Sequence, residues 1–191
     1  MKSEEYKSLY FEKAGRKATE SLFKFVKDYA KKRGIKDLVV ASTTGATGAR
    51  ASKIFKGFNL VVVTHHSGFS KPSKTELTKE HRKEILANGG KIVTGTHALS
   101  GVEGAIRRKF NTLEPLELVA NTYRTFGQGT KVCVEIALMA ADAGFVSVDR
   151  DIISMAGTGK GADTALLLRA ANSSNFFDLK IREVVAKPSD F

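Results

Sequence analysis

One stretch limits the possible folds more than any other. Val39-Val40-Ala41-Ser42-Thr43-Thr44-Gly45-Ala46-Thr47-Gly48-Ala49-Arg50 passes from an apolar run through a Thr/Gly loop into a helix-compatible segment. A strand that ends in such a loop and runs at once into a helix is half of a βαβ unit, which commits the chain to a parallel sheet covered by helices. The same grammar suits an anion: glycines let the backbone come close, threonine hydroxyls donate, and the helix start presents unpaired N–H groups with a partial positive charge. Arg50 can add a charge-assisted bond. The stretch is not a P-loop, because no Gly-Lys-Ser/Thr follows Gly45 and Gly48, and it is not Gly-x-Gly-x-x-Gly. Its plainer reading is a βα turn with a capping threonine.

The remainder of the chain repeats the unit. Residues 1–34 hold an N-terminal amphipathic helix running from Glu4 to Arg33, with Phe11, Ala14, Ala18, Leu22, Phe25, Val26 and Tyr29 at helical spacing and Gly34 as its stop. Strands are expected at Asp37 to Ala41, Asn59 to Thr64, Lys91 to Thr94 and Asp151 to Met155, and helices at Ala46 to Phe55, Ser73 to Ala87 and after Ser100. Ser73 with Glu76, and Ser100 with Glu103, have capping-box spacing; Val102, Ile106 and Phe110 share the face that the second of these helices would bury. Pro115 starts a further helix, and Gly127-Gln128-Gly129 breaks it before a helix from Lys131 to Ala143. Thr164 to Ala170 and Leu179 to Ala186 read as closing strands.

With 191 residues, 42% of them hydrophobic, the chain can bury one core, and a single α/β domain over 1–191 is expected, its ligand-binding sheet spanning 37–187. One cysteine, Cys133, excludes an internal disulfide, and without a signal-like start or a long apolar run the expectation is a cytoplasmic protein with no membrane span. The net charge of +11 favours anionic partners. The basic residues are dispersed and not interleaved with aromatics, so a small phosphorylated molecule is preferred over nucleic acid, which remains the third reading.

In an open α/β sheet, ligands sit outside the carboxyl ends of the strands, where neighbouring loops diverge. Ser42 to Gly48, Thr64 to Ser67, Thr96 to Ala98 and Gly157 to Asp163 would all face one crevice there. Phe126 and the Gly127-Gln128-Gly129 break can offer a ring face and close amides to a flat heterocycle, and Asp163 can accept from a hydroxyl or ring N–H. His65, His66 and His97 invite a metal reading, but no carboxylate or cysteine stands at ligand spacing, and no metal is expected. A Ser-His-Asp reading on Ser42 or Ser67 with Asp163 lacks the Gly-x-Ser-x-Gly elbow.

Val40 to Ala51, followed by Leu60-Val61-Val62-Val63-Thr64, resembles the effector-binding C-terminal domain of pyruvate kinase, and Asp151-Ile152-Ile153-Ser154-Met155-Ala156-Gly157 resembles its later Gly-Asp-hydrophobic-Gly segment. The chain is more similar still to stand-alone, archaeal-type pyruvate kinase alpha/beta domain-like proteins, in which the Ser-Thr-Thr-Gly-x-Thr-Gly, Thr-His-His and Gly-Thr-Gly loops recur. That resemblance implies a three-layer α/β/α fold with a mostly parallel sheet of about five strands, the last antiparallel. It implies flavin mononucleotide as the ligand, with its phosphate at Thr43, Thr44, Gly45, Thr47 and Gly48 and its ring near His66, Thr96, His97, Gly157 and Thr158; the loop positions add Ser42, Thr64, Phe126, Gln128, Gly159 and Asp163 as candidate binding residues. Without a catalytic barrel, pyruvate kinase activity is not expected. The expectations are therefore a flavin mononucleotide-binding homo-oligomer or, alternatively, a regulatory module that senses a sugar phosphate.

Overall fold

In the computed structural model, which describes residues 4–191, seven strands form one sheet in the order β1-β7-β6-β5-β2-β3-β4. The strands are β1 (Leu9–Lys13), β2 (Asp37–Ala41), β3 (Asn59–Thr64), β4 (Lys91–Thr94), β5 (Asp151–Ala156), β6 (Thr164–Arg169) and β7 (Lys180–Asp190). The helices are α1 (Thr19–Arg33), α2 (Ala46–Ile54), α3 (Lys79–Ala87), α4 (Gly101–Phe110), α5 (Pro115–Arg124) and α6 (Gln128–Asp142). Every pairing is parallel except those of β6 with β5 and with β7, so β6 alone runs against the rest. The expected three-layer, mostly parallel architecture is thus present, with a sheet longer than five strands.

Between their end residues the central strands are apolar at every position but Ser154, because both faces are covered. Leu38, Val40, Leu60, Val62, Ile153 and Met155 meet Leu22, Phe23, Val26, Ala49 and Ile85 of α1, α2 and α3. Val39, Val61, Val63, Ile152 and Leu166 meet Val134, Ala137, Leu138 and Ala141 of α6 on the other face. The period of two along the strands therefore sorts consecutive residues into two separate cores.

Three expected elements differ. The helix drawn from Glu4 begins only at Thr19; before it, β1 adds to β7 with Leu9 opposite Ala186, and Gly15, at φ +120°, turns the chain into a 3₁₀ turn at Arg16–Ala18. The helix drawn from Ser73 begins at Lys79, where the Thr78 hydroxyl accepts from the His81 amide at 3.2 Å, and Ser73 itself has φ +59° outside any helix. α4 forms as expected, but its capping box does not: Ser100 makes no side-chain cap, and Glu103 instead accepts from the Leu116 amide at 2.9 Å. The face carrying Val102 and Phe110 is exposed, at 74% and 63%.

Among the described residues no helix is long and apolar enough to cross a membrane.

Candidate functional site

Because β2, β3, β4 and β5 are parallel, their carboxyl ends share one edge. β3 and β4 extend the sheet on one side of β2 while β5 lies on the other, which makes the gap between the loops after β2 and β5 the topological switch point. Two lobes of one crevice open there, of about 590 and 330 Å³. They meet at Ala41, Ser42, Thr43, His65, Gln128 and Val132, which line both.

The first lobe lies against the α2 N-terminus, with Thr43, Thr44, Ala46 and Thr47 on one side and Gly157, Gly159, Lys160 and Gly161 on the other. The first-turn amides of a helix have no partner within it and carry partial positive charge. Arg16, Arg50 and Lys160 also line this lobe, and among the described residues no acidic one does. Arg50 pairs with Glu20 outside it, but both side chains are largely exposed, so that pair competes only weakly with a bound anion.

The second lobe is charged of both signs. Arg107, Arg124 and Lys131 stand against Glu103, Glu114, Glu117 and Glu135, over an apolar floor of Leu99, Val132, Ile136 and Met139. Lys131 and Glu135 form an i,i+4 pair at 2.6 Å, almost fully buried, and the second oxygen of Glu135 accepts from the Leu99 amide at 3.0 Å. The pair thus pins the loop after β4 onto α6 and leaves Lys131 with donors for the cavity. Burial holds the His97 imidazole below its ordinary value of 6.5; Glu135 pulls the other way, and His65 and Lys131 add to the lowering.

His65 stands at the junction of the lobes. Its Nδ1 is 2.7 Å from Glu76, its Nε2 is 3.5 Å from the Thr43 hydroxyl, and its ring packs on Phe69 with centroids 4.0 Å apart.

The sequence-predicted residues divide. Ser42, Thr43, Thr44, Thr47, Thr64, His97, Gln128, Gly157 and Gly159 line one or both lobes. The Ser42 hydroxyl is occupied, accepting from the Gly48 amide at 3.0 Å, and Thr64 bonds Thr94 at 2.8 Å. His66, Thr96, Phe126 and Thr158 line neither lobe; Phe126 is 57% exposed, and His66 turns its Nδ1 to the Ser67 carbonyl. Gly45 and Gly48 serve packing and not ligand approach. A Cβ at Gly45 would stand 2.5 Å from His81, and one at Gly48 2.5 Å from Val62. Gly129 likewise makes room for Thr164, at 2.1 Å from any Cβ it carried, and not for a heterocycle.

Asp163 also lines neither lobe. Fully buried, it accepts from the Gly15 and Thr158 amides at 2.9 and 3.0 Å and from the Thr164 hydroxyl at 2.7 Å. Both oxygens are engaged and the side chain has no exposed surface, so this carboxylate holds the chain together.

Residues that sequence reasoning left out are Arg16, Glu76, Lys131 and Glu135, while His65 and Lys160 entered only as members of their loops. Lys131 and Glu135 had a signal: Val132 to Ala141 is apolar apart from Glu135, so the helix is covered all round and an i,i+4 charge pair in it is expected to be buried too.

The alpha/beta domain of pyruvate kinase matches this sequence over residues 20–168. The chain belongs to that family. The matched span runs from α1 through β6 and includes the loops after β2, β3, β4 and β5 that build the crevice, while β1 and β7 lie outside it.

Proposed function

We propose that the chain binds a phosphorylated small molecule across the two lobes, its phosphate in the first and an uncharged polar head in the second. One observation carries the reading. The first lobe presents Arg16, Arg50 and Lys160 with no acid, whereas the acids of the second lobe match or outnumber its cations. A monoester with a neutral head suits that separation, and a bisphosphate would set its second charge against Glu103, Glu114, Glu117 and Glu135. Both volumes lie within or near the range of about 300–1,000 Å³ usual for small-ligand sites.

Flavin mononucleotide is the ligand we propose, and the residues fit it. Thr43, Thr47 and the Ala46 and Thr47 amides that open α2 would hold the phosphate, while Lys131, Gln128 and His97 offer hydrogen bonds to a ring edge lying over Leu99, Ile136 and Met139. When bound, a flavin supplies electron or hydride transfer. The chain's part is to bind it and to orient it.

Protein incubated with flavin mononucleotide and freed of excess by gel filtration is expected to retain the flavin absorbance. A colourless protein that a sugar monophosphate nonetheless stabilises against heat would replace the flavoprotein reading with the sensor reading. A protein that inorganic phosphate does not stabilise at all would sink both.

A further inference from the structure

The geometry points to His65 as a nucleophile toward the phosphoryl group of a bound phosphomonoester, so that the crevice hydrolyses its ligand through a phosphohistidine. The inference rests on the phosphate-binding reading and adds a reaction to it.

A carboxylate can only accept, so the 2.7 Å contact between Nδ1 and Glu76 places the imidazole proton on Nδ1. The lone pair of the neutral ring is then on Nε2. That atom faces the Thr43 hydroxyl at 3.5 Å, the donor at the junction of the two lobes. A phosphate hydrogen-bonded by Thr43 and the start of α2 is therefore a neighbour of Nε2. Nucleophile and orienting carboxylate stand in the order that activated nucleophiles require, and contacts of this length commonly tighten when substrate binds. Arg16, Arg50 and Lys160 supply positive charge for the phosphoryl oxygens as they reorganise. Thr43 is the poorer nucleophile of the two, since its hydroxyl must lose a proton across 3.5 Å, whereas an imidazole with its proton on Nδ1 already presents a lone pair at Nε2.

The step balances with water as the only co-reactant. The Nε2 electron pair forms the N–P bond, the ester P–O bond breaks, and the leaving oxygen takes a proton from solvent. The Glu76 carboxylate stabilises the cationic ring through the Nδ1 proton. Water then attacks phosphorus, the N–P pair returns to Nε2, and orthophosphate leaves.

The test uses p-nitrophenyl phosphate for turnover and inorganic phosphate for binding. Wild-type protein should release p-nitrophenolate, and an alkaline quench should trap one phosphoryl group on His65. His65→Asn, which keeps a donor toward Glu76 and removes Nε2, should lose both signals while still binding inorganic phosphate. Glu76→Gln should lower kcat with little change in KM. No turnover by wild type above the His65→Asn background, with inorganic phosphate still bound, overturns the inference and leaves the binding reading standing. An acid-stable phosphoryl group on Thr43, trapped by an acid quench, overturns the assignment of the nucleophile. Loss of phosphate binding by wild type itself would instead remove the reading beneath.

Discussion

Gly48 and Thr47 are neighbours in the first turn of α2 and do opposite things. A Cβ at Gly48 would meet Val62 Cγ1 at 2.5 Å and Ile85 Cδ1 at 3.2 Å, so the glycine lets α2 lie against β3. Thr47 lines the first lobe, where its hydroxyl is free to meet a ligand oxygen. Gly48→Val should thus act on the fold, lowering stability by about 1–3 kcal/mol or more through overpacking. Thr47→Ala should leave the melting temperature alone and weaken phosphate binding by about 1.5–3 kcal/mol, the worth of a hydrogen bond to a charged oxygen. Calorimetric titration with inorganic phosphate beside thermal unfolding separates the two; a stable Gly48→Val protein, or Thr47→Ala with wild-type affinity, contradicts the assignment. From sequence both residues read as parts of a phosphate loop, because a glycine's reason for being small lies in what crosses it, here Val62, fourteen positions on.

At the scale of elements, α6 is the decisive piece: its apolar length covers the sheet and its Lys131–Glu135 pair forms part of the second lobe. Removing one partner leaves a buried charge. Glu135→Ala should cost about 3–5 kcal/mol, the penalty for an uncompensated buried ion. Replacing both together, Lys131→Met with Glu135→Met, should cost less than Glu135→Ala, because no charge then stays behind and the remaining loss is chiefly the acceptor of the Leu99 amide, about 1–3 kcal/mol. Urea unfolding of the two proteins checks this, and a double variant less stable than the single one would refute it. The strand–loop–helix series from Asp37 to Ala87 was legible in the sequence because apolar period and turn residues agree there. Glu76 was not. Its spacing from Ser73 imitates a capping box, and only the fold shows Thr78 capping α3 and Glu76 turned to His65. The crevice was legible as a meeting of loops, since parallel strands bring their carboxyl ends to one edge. Its division into a cationic and a mixed lobe was not, because Arg16 and Lys160 arrive from opposite ends of the chain.

For the whole molecule, β1 closes the sheet and ties its two ends to the site. Phe11, Ala14 and Ala18 fall at helical spacing, which hid the strand; its partner β7 lies some 170 residues away, and no local pattern announces it. Leu9 and Phe11 pack on the first core, the Ala14 amide donates to the Asp190 carbonyl at 3.1 Å, and the Gly15 amide donates to Asp163 at 2.9 Å. Through Asp163, which also holds the Thr158 amide, the N-terminal segment steadies the glycine loop that forms one wall of the first lobe. Deletion of residues 1–14 would therefore have two effects. It would leave β7, an 11-residue strand, as an open edge whose unpaired N–H and C=O groups invite pairing with other chains. It would also free the wall formed by Gly157 to Gly161, so that ordering the loop has to be met from binding energy. The truncated protein is expected to melt earlier, to aggregate with a concentration-dependent onset, and to bind inorganic phosphate more weakly than the full chain. Static light scattering during a thermal ramp and a phosphate titration measure these effects separately. If melting and affinity both match the full chain, β1 supports neither the sheet nor the site.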